Sequence, residues 1–204
     1  RNAISPDLQY YRTSLLPSVL QKVHPNLKSD YVRSDDNEFA LFEIGKVHVK
    51  EHLDDENLPG EFERLALVFA ADEKTAQRKY EGSAYYMAKR YLQLLTGGQA
   101  TYEALGSNGY PITSAYQMGR SAGVFVNGEL LGVIGEFRPS VKKALKLPEY
   151  SAGFELDTNL LREKLQPSRY APMGQYPKTQ QDITFKAPTS LRYEMLRSCV
   201  WDEL

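Results

Sequence analysis

The sequence has one cysteine, Cys199, in 204 residues, so no internal disulfide can form and a reducing compartment is expected. Long apolar runs are missing. The longest, residues 65–71, is far below the ~20 residues a membrane-crossing helix needs, and no basic, apolar leader opens the chain. The expectation is a soluble, cytoplasmic protein with no membrane contact. Charge of either sign is not in excess: 25 Lys and Arg face 26 Asp and Glu, which excludes a histone-like, purely electrostatic binder of nucleic acid. Aromatic residues are plentiful. The 14 Tyr and 8 Phe give more ring surface than a minimal core demands. At roughly 100–200 residues per domain, the length allows one domain and part of a second. Because it opens at Arg1 and stops at Leu204 inside a helical pattern, the sequence reads as an excerpt cut at both ends.

Periodicity places the elements. Leu15, Leu16, Val19, Leu20, Val23 and Leu27 recur at helical spacing, with Ser14 as N-cap, Pro17 in the first turn, and an end or kink expected at Pro25. Phe39, Leu41 and residues 44–49 alternate around Gly45, which suggests a strand with a bulge or a close backbone approach. An acidic turn over 54–60 leads to a short buried strand, 65–71. Between Ala76 and Thr96 the i, i+3, i+4, i+7 repeat of Ala84, Met87, Ala88, Tyr91, Leu92 and Leu95 predicts a helix stopped by Gly97-Gly98. Next come a strand over 99–105, a hairpin of 121–126 and 130–137 turned by Asn127-Gly128-Glu129, a short helix from Pro139 to Leu145, and a strand over 153–156. Hairpins mixed with helices argue for an α+β fold, an antiparallel sheet flanked by helices. Residues 1–166 then form the main domain, 167–178 a Pro- and Gly-bearing linker, and 179–204 the start of a truncated second module with a strand over 182–186 and a helix after Ser190.

Catalytic constellations are scarce. There is no phosphate-cradling loop, no His-Glu-x-x-His and no Cys-x-x-Cys. His48 and His52 sit four apart on what reads as strand, so they are taken as surface residues, and Asp54, Asp55 and Glu56 as a solvated turn. Cys199 beside Trp201 reads as a small buried hydrophobe, and residues 119–123 lack the strand-to-helix setting of a dinucleotide loop.

Four phrases carry more. They are Asn2-Ala3-Ile4-Ser5 with Tyr11-Arg12-Thr13-Ser14-Leu15-Leu16-Pro17; Phe42-Glu43-Ile44-Gly45-Lys46-Val47; Gly119-Arg120-Ser121-Ala122 with Gly132-Val133-Ile134-Gly135-Glu136-Phe137-Arg138-Pro139; and Phe154-Glu155-Leu156-Asp157. In this order, from residue 2 to about 165, they resemble the C-terminal part of the bacterial phenylalanyl-tRNA synthetase beta subunit. Residues 176–204 look like the opening of that subunit's ferredoxin-like anticodon-binding domain. The sequence departs from the family pattern at Gln117-Met118 and at Arg138, where His-Pro and His are usual.

The resemblance implies the antiparallel core of class II synthetases in a catalytically silent form. Working class II sites clamp phosphate oxygens with arginines from their second and third motifs, since a guanidinium fork matches a phosphate. Aligned to those motifs, Leu41 and Leu160 stand where the arginines belong, and Glu155 and Asp157 replace glycines and would repel a triphosphate. No catalytic, metal or cofactor-binding residue is therefore expected in this chain, and the ATP and Mg2+ that the resemblance implies belong to the holoenzyme. The implied function is that of a non-catalytic core, a scaffold for the catalytic alpha subunit in an α2β2 phenylalanine-tRNA ligase acting on tRNA(Phe). Candidate interface aromatics are Tyr80, Tyr85, Tyr86, Tyr91, Tyr110 and Tyr116; the alternative is that they face the domain's own core. Two other functions are weighed. One is a free-standing class II paralogue that binds a small ligand or nucleotide. The other is a nucleic-acid module resting on Arg162, Lys164, Arg169, Lys178, Lys186, Arg192 and Arg197, charges that are dispersed and offset by acids.

Overall fold

A computed structural model describes residues 10–29, 37–53, 56–105, 111–165 and 182–202. The chain divides into two compact units, Arg1–Ser168 and Arg169–Leu204. The first is built on six antiparallel strands in the order β1-β2-β6-β5-β4-β3: β1 (Glu38–Leu53), β2 (Pro59–Ala71), β3 (Thr101–Ala104), β4 (Tyr116–Val126), β5 (Glu129–Phe137) and β6 (Tyr150–Asp157). Two-residue alternation sorts their side chains onto opposite faces. Helices α1 (Leu16–Leu27) and α4 (Pro139–Leu145) lie over one face, where Leu16, Val19, Leu20 and Val23 share a core with Val47, Ala66, Val68, Val133 and Phe137. On the other, Ala84, Ala88 and Leu92 of α3 (Ala84–Thr96) pack with Leu65, Ile134, Phe154 and Leu156, beside α2 (Glu73–Lys79) and α5 (Thr158–Lys164). Each fully buried Leu or Phe contributes about 1.5–3 kcal/mol by leaving water, so these two layers hold the sheet in place.

Local chemistry explains most boundaries. Asn127 at φ 51° and Gly128 at φ 81° supply the two positive φ angles of a two-residue turn, joining β4 to β5 as the pattern predicts. Pro139 opens α4, whose end at Leu145 also matches, and Gly97, with φ 58°, stops α3. Other expectations fail. Helix α1 runs through Pro25 to Leu27, because a proline this close to a helix end costs few backbone hydrogen bonds. The helix expected between Ala76 and Thr96 is two helices. Gly82 turns left-handed at φ 82°, Tyr80 leaves the helix in extended backbone, and Ser83 begins α3 anew. The segment after Asp157 is helix α5, where no helix was expected. Around Gly45 the β1–β2 register is regular, so that glycine marks a close approach and not a bulge.

In the second unit, residues 182–192 form no strand, and α6 (Tyr193–Asp202) begins three residues after Ser190. Among the described residues of this unit no other strand stands beside them to satisfy a strand's backbone. Cys199 is exposed on α6, contrary to the buried hydrophobe expected of it. The proposed linker, 167–178, lies outside the described residues.

Candidate functional site

Strand register alone gathers the residues that the sequence singled out. Glu43 of β1 stands opposite Ala66 of β2, which stands opposite Glu155 of β6; one step along, Leu41 aligns with Val68 and Gly153, and one step the other way Gly45 aligns with Arg64 and Asp157. All these face α1. Here an arginine pair would have to clamp a nucleotide. Instead Leu41 packs among the apolar residues beneath α1, and Leu160 packs into the opposite core from α5. Neither has a donor to offer.

The carboxylates are committed to the protein's own backbone and side chains. Glu155 is 0% exposed. It accepts hydrogen bonds from the Ser14 hydroxyl at 2.6 Å, from Leu15 N–H at 3.1 and 3.2 Å, and from Leu16 N–H at 3.0 Å, with Arg64 4.0 Å away. The residue at the start of α1 offers no side-chain cap of its own, so a carboxylate from β6 satisfies the amides that a helix N-terminus leaves unpaired. Ser14, the expected cap, bridges: its Oγ accepts from Leu16 N–H at 3.3 Å while donating to Glu155. Asp157 caps α5, accepting from the N–H groups of Asn159 and Leu160. Glu43 pairs with Arg12 at 2.5 Å, and Arg12 also donates to Lys46 O. That arginine lies where a Cβ on Gly45 would come within 2.5 Å of its guanidinium, which is the close approach the glycine permits. The Arg12 carbonyl accepts from His48 N–H, and Tyr11 packs on the His48 ring, so residues 11 and 12 strap the outer edge of β1.

A triphosphate fits badly here: the two glutamates and Asp157 are anionic and already paired, Arg64, whose buried Nε has no hydrogen-bond partner, sits 4.0 Å from the Glu155 carboxylate, and reaching Glu155 would require lifting α1. Sequence reasoning found these positions but read Glu155 and Asp157 as repellers of phosphate, missing their role as caps. The signal was present. A lone carboxylate inside the apolar strand Tyr150–Asp157 must have buried partners.

The candidate interface tyrosines scatter. Tyr116 is 0% exposed and stacks on Phe137, so it belongs to the core; burial raises its phenol pKa well above the usual value, with the Glu155 charge adding to the effect. Tyr80 stacks on Tyr150 with centroids 5.2 Å apart and donates to Glu38, and burial, that hydrogen bond and the Glu38 charge raise its pKa. Tyr85 and Tyr91 are half-buried, Tyr91 beside Phe69. Only Tyr86 among the described five is mostly open, at 62%. Tyr110 lies outside the described residues. His48 and His52 both lie on β1, against Tyr11 and Phe62, and no cluster of His, Cys, Asp or Glu suited to a metal occurs among the described residues. Arg162 pairs with Glu63 and Lys164 with Glu129, which removes two cations from the nucleic-acid reading; Arg169 and Lys178 are outside the described residues. No described helix is long and apolar enough to cross a membrane.

Fold and site together define an α+β domain on an antiparallel sheet whose central carboxylates serve its own architecture. The chain belongs to the family described as the phenylalanyl tRNA synthetase beta chain CLM domain, whose model matches residues 1–158. Similar proteins include the phenylalanine--tRNA ligase beta subunits of Syntrophus aciditrophicus, 26% identical over 91% of this chain and 22% of the relative; of Carboxydothermus hydrogenoformans, 28% over 89% and 22%; and of Bacillus subtilis, 27% over 97% and 24%. The chain thus spans less than a quarter of the length of these relatives. Among solved structures, a pyrrolysyl tRNA synthetase from Desulfitobacterium hafniense aligns with TM-score 0.48 and 14% identity over 74% of this chain and 50% of that one.

Proposed function

We propose that this chain is the catalytically silent, class II-like core of a phenylalanine-tRNA ligase beta subunit, acting as a scaffold on which the catalytic alpha subunit assembles into a cytoplasmic α2β2 enzyme. The holoenzyme would join phenylalanine to tRNA(Phe) with ATP and Mg2+, both handled by alpha. The observation that carries this reading is the row of committed acids, Glu43 on Arg12, Glu155 on the start of α1 and Asp157 on the start of α5, with Leu41 apolar beside it and Leu160 turned into the opposite core. A nucleotide site needs donors turned toward an open space, and this row turns acceptors toward its own amides. The beta-subunit relatives, matched over nearly the whole chain, support the same assignment. The segment 179–204 is read as the opening of the ferredoxin-like module of such a subunit.

Two measurements test it. Titration calorimetry of this chain with ATP and Mg2+ should give no binding at micromolar strength, and co-expressed alpha subunit should co-purify with it. ATP binding at micromolar strength would overturn the silent-core reading; failure of alpha to co-purify with the folded chain would overturn the scaffold role. Tyr86→Asp, at the most open of the candidate aromatics, is expected to weaken co-purification without altering thermal stability.

A further inference from the structure

On the sheet face away from α1, the break between α2 and α3 opens two adjoining hollows of about 340 and 420 Å3, which share Ser83 and Arg120. Volumes in this range hold small ligands. The wall carries buried charges: Lys142 donates to the Glu149 carbonyl oxygen at 2.7 Å, and Glu136 accepts from Arg120. Glu136 and Lys142 are only 4% and 7% exposed, although most buried neighbours are apolar. Burying charge is expensive, and an apolar pair of the same size usually serves stability as well or better. Burial should raise the Glu136 pKa, yet hydrogen bonds from Arg120 and Ser83, with the charges of Arg120 and Lys142, hold it below its ordinary value. An ionised carboxylate is thus held at the floor, and what it positions is Arg120.

Arg120 donates from one guanidinium nitrogen to Glu136 at 2.8 Å while 59% of its side chain stays open. Among the described residues that line it, the larger hollow has no acid. Its lining joins Arg120 to Ser83, Ser121 and the rings of Tyr85 and Tyr86, and at Gly119, with φ 80°, a Cβ would meet nothing within 4 Å. A fork that is held from behind and open in front suits a carboxylate or phosphate, and tyrosine faces accept flat rings.

We propose that this hollow binds a small anion carried on a flat ring, its phosphate or carboxylate held by Arg120 and its ring laid against Tyr86. The site lies on the opposite face of the sheet from Glu155; it shares Tyr86 with the proposed alpha contact, so it is tested on the isolated chain. Both a mononucleotide and an aromatic acid have this chemistry.

The test is a nuclear magnetic resonance titration of the 204-residue chain with AMP and, separately, with benzoate. Saturable shifts of the Arg120, Ser121 and Tyr86 amides at millimolar concentration or below are expected for at least one probe. Saturation by AMP alone identifies a nucleotide phosphate, and saturation by benzoate a carboxylate. Arg120→Lys keeps a charge for Glu136 but loses the fork, and should weaken binding about tenfold; Tyr86→Ala should weaken it about fivefold, within the range for stacking on one aromatic side chain. Failure of both probes to saturate, or saturation that neither variant changes, would overturn the proposal. An unchanged spectrum elsewhere in each variant establishes that it is folded.

Discussion

Replacing Glu155 by glutamine changes few atoms and should cost much. The carboxylate accepts from three donors, Ser14 Oγ, Leu15 N–H and Leu16 N–H, in a position with 0% exposure, and Arg64 lies 4.0 Å away. Glutamine keeps one acceptor oxygen but turns an NH2 group toward amides that also donate. Hydrogen bonds to a charged partner contribute about 1.5–3 kcal/mol against 0.5–1.5 for neutral ones, so three of them lose about 3 kcal/mol together, close to the 3–5 kcal/mol seen when a buried pair is broken. For a domain of this size that is a fall in Tm of about 6–12 °C. Denaturant unfolding reads the total, and amide exchange reads the place. Protection should drop first at Leu15, Leu16 and the following turn of α1, with Phe154 in β6 retaining most of its own. A loss below about 1 kcal/mol, or one spread evenly over the sheet, would refute the view that β6 fastens this helix.

Packing and titration give three further outcomes. A Cβ at position 132 would lie 2.1 Å from the Glu155 carbonyl oxygen, so Gly132→Ala should prevent β5 and β6 from pairing and abolish cooperative unfolding by calorimetry. By contrast Gly45→Ala meets only the movable end of Arg12; it should cost about 1 kcal/mol and release protection at His48 N–H, which the Arg12 carbonyl holds. Tyr116 and Tyr80 have raised pKa values in the folded chain, so the unfolded chain loses these protons first. Their contribution to stability is whole below the ordinary tyrosine pKa of about 10 and declines as pH rises beyond it, and ultraviolet absorbance should show both phenols ionising only as the protein unfolds.

Much of this fold could be read from local chemistry. The β4–β5 hairpin, the start of α4 at Pro139 and the stop at Gly97 each depend on a backbone preference belonging to one or two residues, and such preferences survive in any context. What escaped reading depends on partners distant in sequence. Tyr80 leaves its helix for Glu38 and Tyr150, so a continuous apolar period across Ala76 to Thr96 could not report the break. Residues 182–186 have strand-forming composition but no neighbouring strand among the described residues. The sequence singled out Leu41 and Leu160 as apolar residues at expected arginine positions, and both pack into apolar cores. Their consequence was only half legible: Glu155 was read for the charge it would oppose, whereas the register shows the amides it serves.

The strand that fastens α1 also sets an order of events during synthesis. The helix leaves the ribosome ahead of the carboxylate that completes its first turn, which emerges some 140 residues later. At about 5–20 residues per second the nascent helix waits roughly 7–30 s for its anion. Through that interval its apolar side has no finished sheet to rest on, and this is when a nascent chain most needs a chaperone or a waiting subunit.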